Sequence, residues 1–151
     1  MTGIASTVLI ADDDADSRTI VRALLEFQGR EVVEAEDGTQ CLGAVRKHCP
    51  DVIVLDLVMP RMDGWRVAAA LRADPATRSI PILALTAAAL PRDRERALAA
   101  GCDRVLHKPI SLGELSSVID ELFQLGTRAR SRGRAPARAV CQGFGPIPPA
   151  A

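Results

Sequence analysis

The stretch Asp51 to Gly64, DVIVLDLVMPRMDG, constrains the fold more than any other part of the chain. Val52 to Leu55 is too short for a globular helix and too apolar for a surface strand, so it predicts a central strand buried on both faces. Asp56 is the first polar residue after it. Pro60 breaks regular structure, and Asp63 followed by Gly64, Trp65, Val67, Ala68 and Leu71 predicts an N-cap opening a helix. The acid therefore stands at the mouth of a strand-to-helix turn, which is where open parallel sheets bind ligands.

The same unit recurs along the chain. Thr7 to Ala11 reads as a first strand ended by Asp12 to Asp14, and Ile20, Leu24 and Phe27 with Val21 and Leu25 give an apolar helical stripe closed by Gly29. Arg18 and Arg22 fall outside that stripe and are expected in solvent. Glu31 to Ala35 alternates and suits an edge strand, and Asp37-Gly38 turns into a helix carrying Cys41, Leu42 and Val45 that stops before Pro50. Ile82 to Leu85 is the fourth strand, ended by Thr86. Ala87 to Ala89 form a small-residue loop, and Pro91 opens a helix with Asp93 and Glu95 suited to its dipole and Gly101 as its stop. Val105-Leu106 is a short fifth strand before Lys108-Pro109. Ser111 to Glu114 has the form of a capping box, and Leu112, Leu115, Ile119 and Leu122 line a last helix ending near Gly126.

Five strand–helix alternations predict an α/β fold, a flavodoxin-like (βα)5 doubly wound parallel sheet with strand order 2-1-3-4-5. That order brings Asp12, Asp13 and Asp56 together at the switch point, with Thr86 and Lys108 along the same sheet edge. The expected organisation is a short extension over residues 1–5, one domain over 6–125 and a tail over 126–151.

Charge separates the last two. Residues 1–125 carry all 19 acids and 14 of the 19 bases, leaving −5, while the tail has five arginines, four prolines and no acid. Without an apolar period the tail reads as disordered, and with Phe144 its only aromatic residue, nucleic acid is not expected as a partner. Cys41, Cys49, Cys102 and Cys141 form no C-x-x-C pair, so neither a zinc site nor a redox motif is suggested. Neither a leader peptide nor an apolar run long enough to span a membrane is visible, which suits a cytoplasmic protein without membrane insertion.

Three carboxylates on one edge repel unless a cation or protons intervene. Their hardness and number suit Mg²⁺, next to which a free carboxylate oxygen can attack phosphorus. Asp56, fixed by the apolar strand, is the natural nucleophile. Lys108 offers a positive charge to a phosphoryl oxygen, and Thr86 a hydroxyl donor. His107 is expected to point away from Lys108, His48 to favour a helix end, and Trp65 to pack.

Residues 6–125 resemble the receiver domain of two-component response regulators, the CheY-like fold, through Asp12-Asp13, DLVMPRMDG with Asp56, Thr86-Ala87 and Lys108-Pro109 in order and at similar spacing. The resemblance implies phosphorylation of Asp56 by a histidine kinase or phosphotransfer protein. It also implies Mg²⁺ ligation by Asp13, with Asp12 supporting through water, and by the backbone carbonyl of Val58. Lys108 would contact the phosphoryl group, Thr86 would act as the switch, and the Lys108-Pro109 peptide would be cis. Many receivers have Tyr or Phe three residues before the lysine, where this chain has Val105, so output is expected to run through Thr86, the Ala87 to Ala89 loop and the helix after Pro91. The expected protein is a single-domain response regulator, an enzyme only toward itself. It would signal to a downstream protein through the Pro91 helix, the Val105 strand and the Leu112 helix. Two other readings stand beside it. One is a receiver-shaped scaffold acting without phosphorylation. The other is an acid-nucleophile phosphohydrolase, which would need a second acid where this chain has Val58.

Overall fold

The computed structural model describes residues 6–87 and 90–131, with side chains described to residue 126. Five strands, β1 (Thr7–Ala11), β2 (Glu31–Ala35), β3 (Val52–Asp56), β4 (Ile82–Thr86) and β5 (Arg104–His107), alternate with five helices. These are α1 (Ala15–Phe27), α2 (Gly38–His48), α3 (Gly64–Ala73), α4 (Pro91–Ala100) and α5 (Leu112–Ser131). The strands form one parallel sheet in the order β2-β1-β3-β4-β5, the order expected from the sequence.

Alternation along the strands divides the interior into two layers. Leu9, Ala11, Ile53, Leu55, Ile82 and Ala84 face α2, α3 and α4, where they meet Cys41, Val45, Val67, Leu71 and Ala97. Val8, Ile10, Val52, Val54, Leu83 and Leu85 face α1 and α5, meeting Val21, Leu25, Leu115, Ile119 and Leu122. Every residue of β3 is buried, as its run of aliphatic side chains dictates. Each such large aliphatic side chain contributes about 1.5–3 kcal/mol by leaving water.

Helix ends follow local chemistry. Asp14, Asp37 and Asp63 cap α1, α2 and α3 through side-chain oxygens that accept from Asp16, Gln40 and Arg66 N–H groups. Pro91 opens α4, Gly101 closes it in the left-handed region, and Gly29 turns the chain after α1 with φ +83°. Ser111 Oγ accepts from Glu114 N–H at the start of α5. The Lys108-Pro109 peptide is cis.

Three local expectations need correction. The stripe on α1 is narrower than its periodicity suggests: Val21 and Leu25 are buried, whereas Ile20 is 55% and Phe27 90% exposed. Arg18 is not solvated, its side chain being only 11% exposed. Gly126 does not end the last helix, which runs on to Ser131. Of the tail expected to be disordered over 126–151, the part from Gly126 to Ser131 is helical instead, and residues 132–151 lie outside the described residues, as do Ala88 and Ala89 of the Ala87 to Ala89 loop.

Candidate functional site

Strand register sets the site. Ala11 pairs with Leu55 across β1 and β3, so the residues that follow them, Asp12 and Asp56, emerge side by side. Asp56 pairs with Leu85, and Thr86 with His107, which places Thr86 and Lys108 successively further along the same edge. Lys108 N–H donates to the Thr86 carbonyl at 2.8 Å, continuing the ladder one residue past β5.

The loop after Asp56 is held close by its glycine. A Cβ on Gly64 would lie 2.5 Å from the Asp56 carbonyl oxygen and 2.7 Å from Leu57 Cα, so only glycine lets the first turn of α3 rest against the strand end. Gly64 N–H donates to the Leu57 carbonyl at 2.9 Å. On the far side of this loop Arg61 reaches the buried Asp37 carboxylate at 2.8 Å.

Asp12 and Asp56 are buried, 2% and 5% exposed, whereas Asp13 is exposed. One carboxylate oxygen from each lies within 4.8 Å of the others. Lys108 Nζ stands between two of them, 2.9 Å from Asp12 Oδ2 and 3.4 Å from Asp56 Oδ2. The remaining oxygens are also engaged. Asp12 Oδ1 accepts from Asp14 N–H at 2.9 Å, and Asp56 Oδ1 accepts from Val58 N–H at 3.2 Å. Thr86 is fully buried and Val58 is exposed.

Three carboxylates against one ammonium leave negative charge in excess, and the electrostatics of the site record it. Burial, and then the neighbouring charge of Asp12, push the Asp56 carboxyl up to about 6, against the opposing pull of Lys108. Burial works against the Lys108 ammonium, but its hydrogen bond to Asp12 and the charges of Asp56 and Asp12 outweigh that and raise it. The donor set fits a hard divalent cation. Oxygen ligands on opposite sides of Mg²⁺ are about 4.2 Å apart, since each bond is about 2.1 Å, so a span of 4.8 Å closes with small side-chain adjustments. A cation there would offset the charge of Asp12, which adds to burial in raising Asp56.

The structure thus brings together Asp12, Asp13, Asp56 and Lys108, with Thr86 and Val58 adjacent along the edge and the loop. His107 is exposed and Trp65 packs against the α2–α4 layer under the Arg96 guanidinium, 4.2 Å from the ring centroid. Sequence reasoning missed Arg18, whose Nη1 donates to the Asp12 carbonyl at 2.7 Å. Its partners lie in the turn before α1, on β2 and in the loop after β2, and no local pattern joins them.

The response regulator receiver domain model matches residues 8–120. The chain is 34% identical over 109 residues to the polar-differentiation response regulator DivK of Brucella ovis, covering 72% of this chain and 89% of DivK. It is 40% identical over 118 residues to the sensor protein GacS of Pseudomonas syringae pv. syringae, a stretch that is 76% of this chain and 13% of GacS. A putative response regulator from Chloroflexus aurantiacus superposes with a TM-score of 0.77 at 30% identity, over 80% of this chain and 99% of that one. The receiver domain of sensor histidine kinase PA1611 from Pseudomonas aeruginosa, solved with a magnesium ion coordinated in its active-site cleft, does so with a TM-score of 0.74 at 31% identity, over 80% and 99%. With this fold, this acidic edge and these relatives, the chain belongs to the response regulator receiver domain family, the phosphorylation-based signalling modules of two-component systems.

Proposed function

We propose that this chain is a single-domain response regulator in which Asp56 accepts a phosphoryl group, with Mg²⁺ held by Asp12, Asp13, Asp56 and the Val58 carbonyl. The observation that carries the reading is Lys108 Nζ lying within hydrogen-bonding reach of both Asp12 and Asp56, with Asp13 on the same cluster. Bound Mg²⁺ would supply charge neutralisation at the transferring phosphoryl group. The protein's own groups do the rest. An Asp56 carboxylate oxygen forms the bond to phosphorus as the bond from phosphorus to the donor imidazole nitrogen breaks, and the imidazole retains the electron pair and takes a proton. Lys108 then turns from the two carboxylates to a phosphoryl oxygen, and Thr86 donates its hydroxyl to another. The chain acts as a signalling protein whose chemistry is confined to its own phosphorylation and dephosphorylation.

The donor is a histidine kinase or a phosphotransfer protein in the cytoplasm. The partner that reads the phosphorylated state binds the surface of α4, β5 and α5, reached from Thr86 through the loop to Pro91. With the small Val105 in place of a ring, the signal passes by a shift in the balance of two existing states. Among the described residues no helix is long and apolar enough to cross a membrane. Domain limits at 6–125, with 126–151 as an accessory tail, follow the change in charge and the end of the core residues at Leu122.

Incubation with acetyl phosphate and Mg²⁺, followed by intact mass measurement, tests the reading. One phosphoryl addition is expected for the wild type with Mg²⁺, and none with EDTA or in Asp56→Asn. A wild type that binds Mg²⁺ yet gains no mass would support the unphosphorylated scaffold instead, and turnover of small phosphate esters would support the phosphohydrolase.

A further inference from the structure

Arg18 has no place in the chemistry above, yet it is the most deeply embedded charged side chain of α1. Its Nη1 donates to the Asp12 backbone carbonyl at 2.7 Å, and its Nε to Glu34 Oε1 on β2 at 3.0 Å. Nη2 lies 3.7 Å from Glu36 Oε1. Glu34 in turn binds Arg22, one helical turn further along α1. The guanidinium is therefore fixed on its outer side by two carboxylates, which also offset its charge, and spends its inner side on one peptide oxygen.

That peptide joins Asp12 to Asp13. Asp12 is held at every polar group: N–H to the Ala35 carbonyl at 3.1 Å, Oδ1 by Asp14 N–H, Oδ2 by Lys108, and its carbonyl by Arg18. Asp13 is the opposite case. Its exposed carboxylate makes no hydrogen bond or ion pair with any other described residue, so only its backbone sets where it points. We infer that Arg18 is a positioning residue for the acidic cluster, fixing the Asp12–Asp13 peptide plane so that the otherwise unsupported Asp13 carboxylate is aimed at the site shared with Asp12 and Asp56. This rests on the reading of that cluster as a Mg²⁺ site.

Geometry and charge predict opposite outcomes, which makes the inference testable. A guanidinium near three carboxylates repels a cation, so removing it on Coulombic grounds alone tightens Mg²⁺ binding. Removing a brace on a ligand's backbone weakens it, typically by about tenfold or more for groups that orient metal ligands. Arg18→Met keeps the aliphatic stem and deletes the guanidinium. Arg18→Lys keeps the charge but cannot span Glu34 and the carbonyl together. Mg²⁺ affinity would be measured by calorimetry on the full chain, and amide exchange at Asp14, whose N–H bonds Asp12 Oδ1, on the metal-free protein. The brace predicts about tenfold weaker Mg²⁺ binding in both variants and faster exchange at Asp14. Unchanged or tighter binding with unchanged exchange overturns it. Should Arg18→Met fail to fold, Arg18→Lys alone carries the test. A wild type that binds no Mg²⁺ contradicts the proposed function itself, and the exchange measurement then decides the brace alone.

Discussion

Neutralising Asp56 is expected to stabilise the metal-free protein, although it removes the group the site is built around. In the fold the Asp56 carboxyl is pushed from 3.8 to about 6, chiefly by burial and by Asp12. At about 1.4 kcal/mol for each tenfold change in proton affinity, ionising it at neutral pH costs the folded state about 3 kcal/mol relative to the unfolded chain. Water entering the open edge reduces this, so about 1–3 kcal/mol is expected from Asp56→Asn, which keeps the shape and drops the charge. For a chain of this size that raises Tm by about 3–10 °C. Because the folded carboxyl binds its proton more tightly than the unfolded one, wild-type stability falls as pH rises from about 4 through about 6. The advantage of Asp56→Asn should therefore be small near the bottom of that window and full above its top. Thermal unfolding of both proteins in EDTA across this range is the assay, with a parallel series in Mg²⁺, where ligand binding raises the wild type and closes the gap. A variant no more stable than the wild type in EDTA at slightly alkaline pH, or a gap independent of pH, would refute the electrostatic account of the site.

Three further outcomes follow from other contacts. Lys108→Met removes the cation that draws the Asp56 carboxyl down, so its midpoint, followed by carbon-13 NMR of the carboxyl, should rise above the wild-type value of about 6; an unchanged midpoint would mean that Lys108 does not sit where it is placed. Gly64→Ala puts a methyl group against two backbone groups of the Asp56–Leu57 segment and should destabilise the fold by about 2 kcal/mol or more in urea, whereas a loss within error would show that the α3 turn can withdraw. Burial pushes the Cys41 thiol up to about 12 and the Cys102 thiol up to about 11, so peptide mapping after iodoacetamide treatment of the native protein should find both unmodified, and both modified in urea; labelling of either in the native state would contradict their burial.

The parts of this fold that are written locally were legible. β3 could be read because Val52 to Leu55 is apolar at every position and ends on an acid, and the caps at Asp37, Asp63, Pro91 and Gly101 could be read because each depends on residues within one turn. The convergence of Asp12, Asp56 and Lys108 followed once the strand order was inferred, since a parallel sheet lines up its strand ends. Contacts that cross between elements were not legible. Arg18 looks like an ordinary solvated helix residue until β2 and the Asp12 turn are in place, when it finds a carboxylate and a carbonyl that a sequence pattern cannot join. Phe27 shares the apolar period of α1, but it is the last residue of the helix, and the period marks a stripe without saying how far along it the sheet and α5 provide cover. Gly126 resembled a stop because glycine is a poor helix former. It ends a helix, however, only where the backbone turns left-handed, as at Gly101, and α5 continues through it.

Asp56, and no other group, is proposed to carry the phosphoryl. Borohydride reduces an aspartyl phosphate to homoserine, so the protein treated with acetyl phosphate and Mg²⁺, reduced and digested, can be sequenced by tandem mass spectrometry. Homoserine is expected at residue 56, dependent on Mg²⁺ and absent without the phosphodonor. Homoserine at residue 12 or 13, or a phosphorylated protein with residue 56 unaltered, would contradict it.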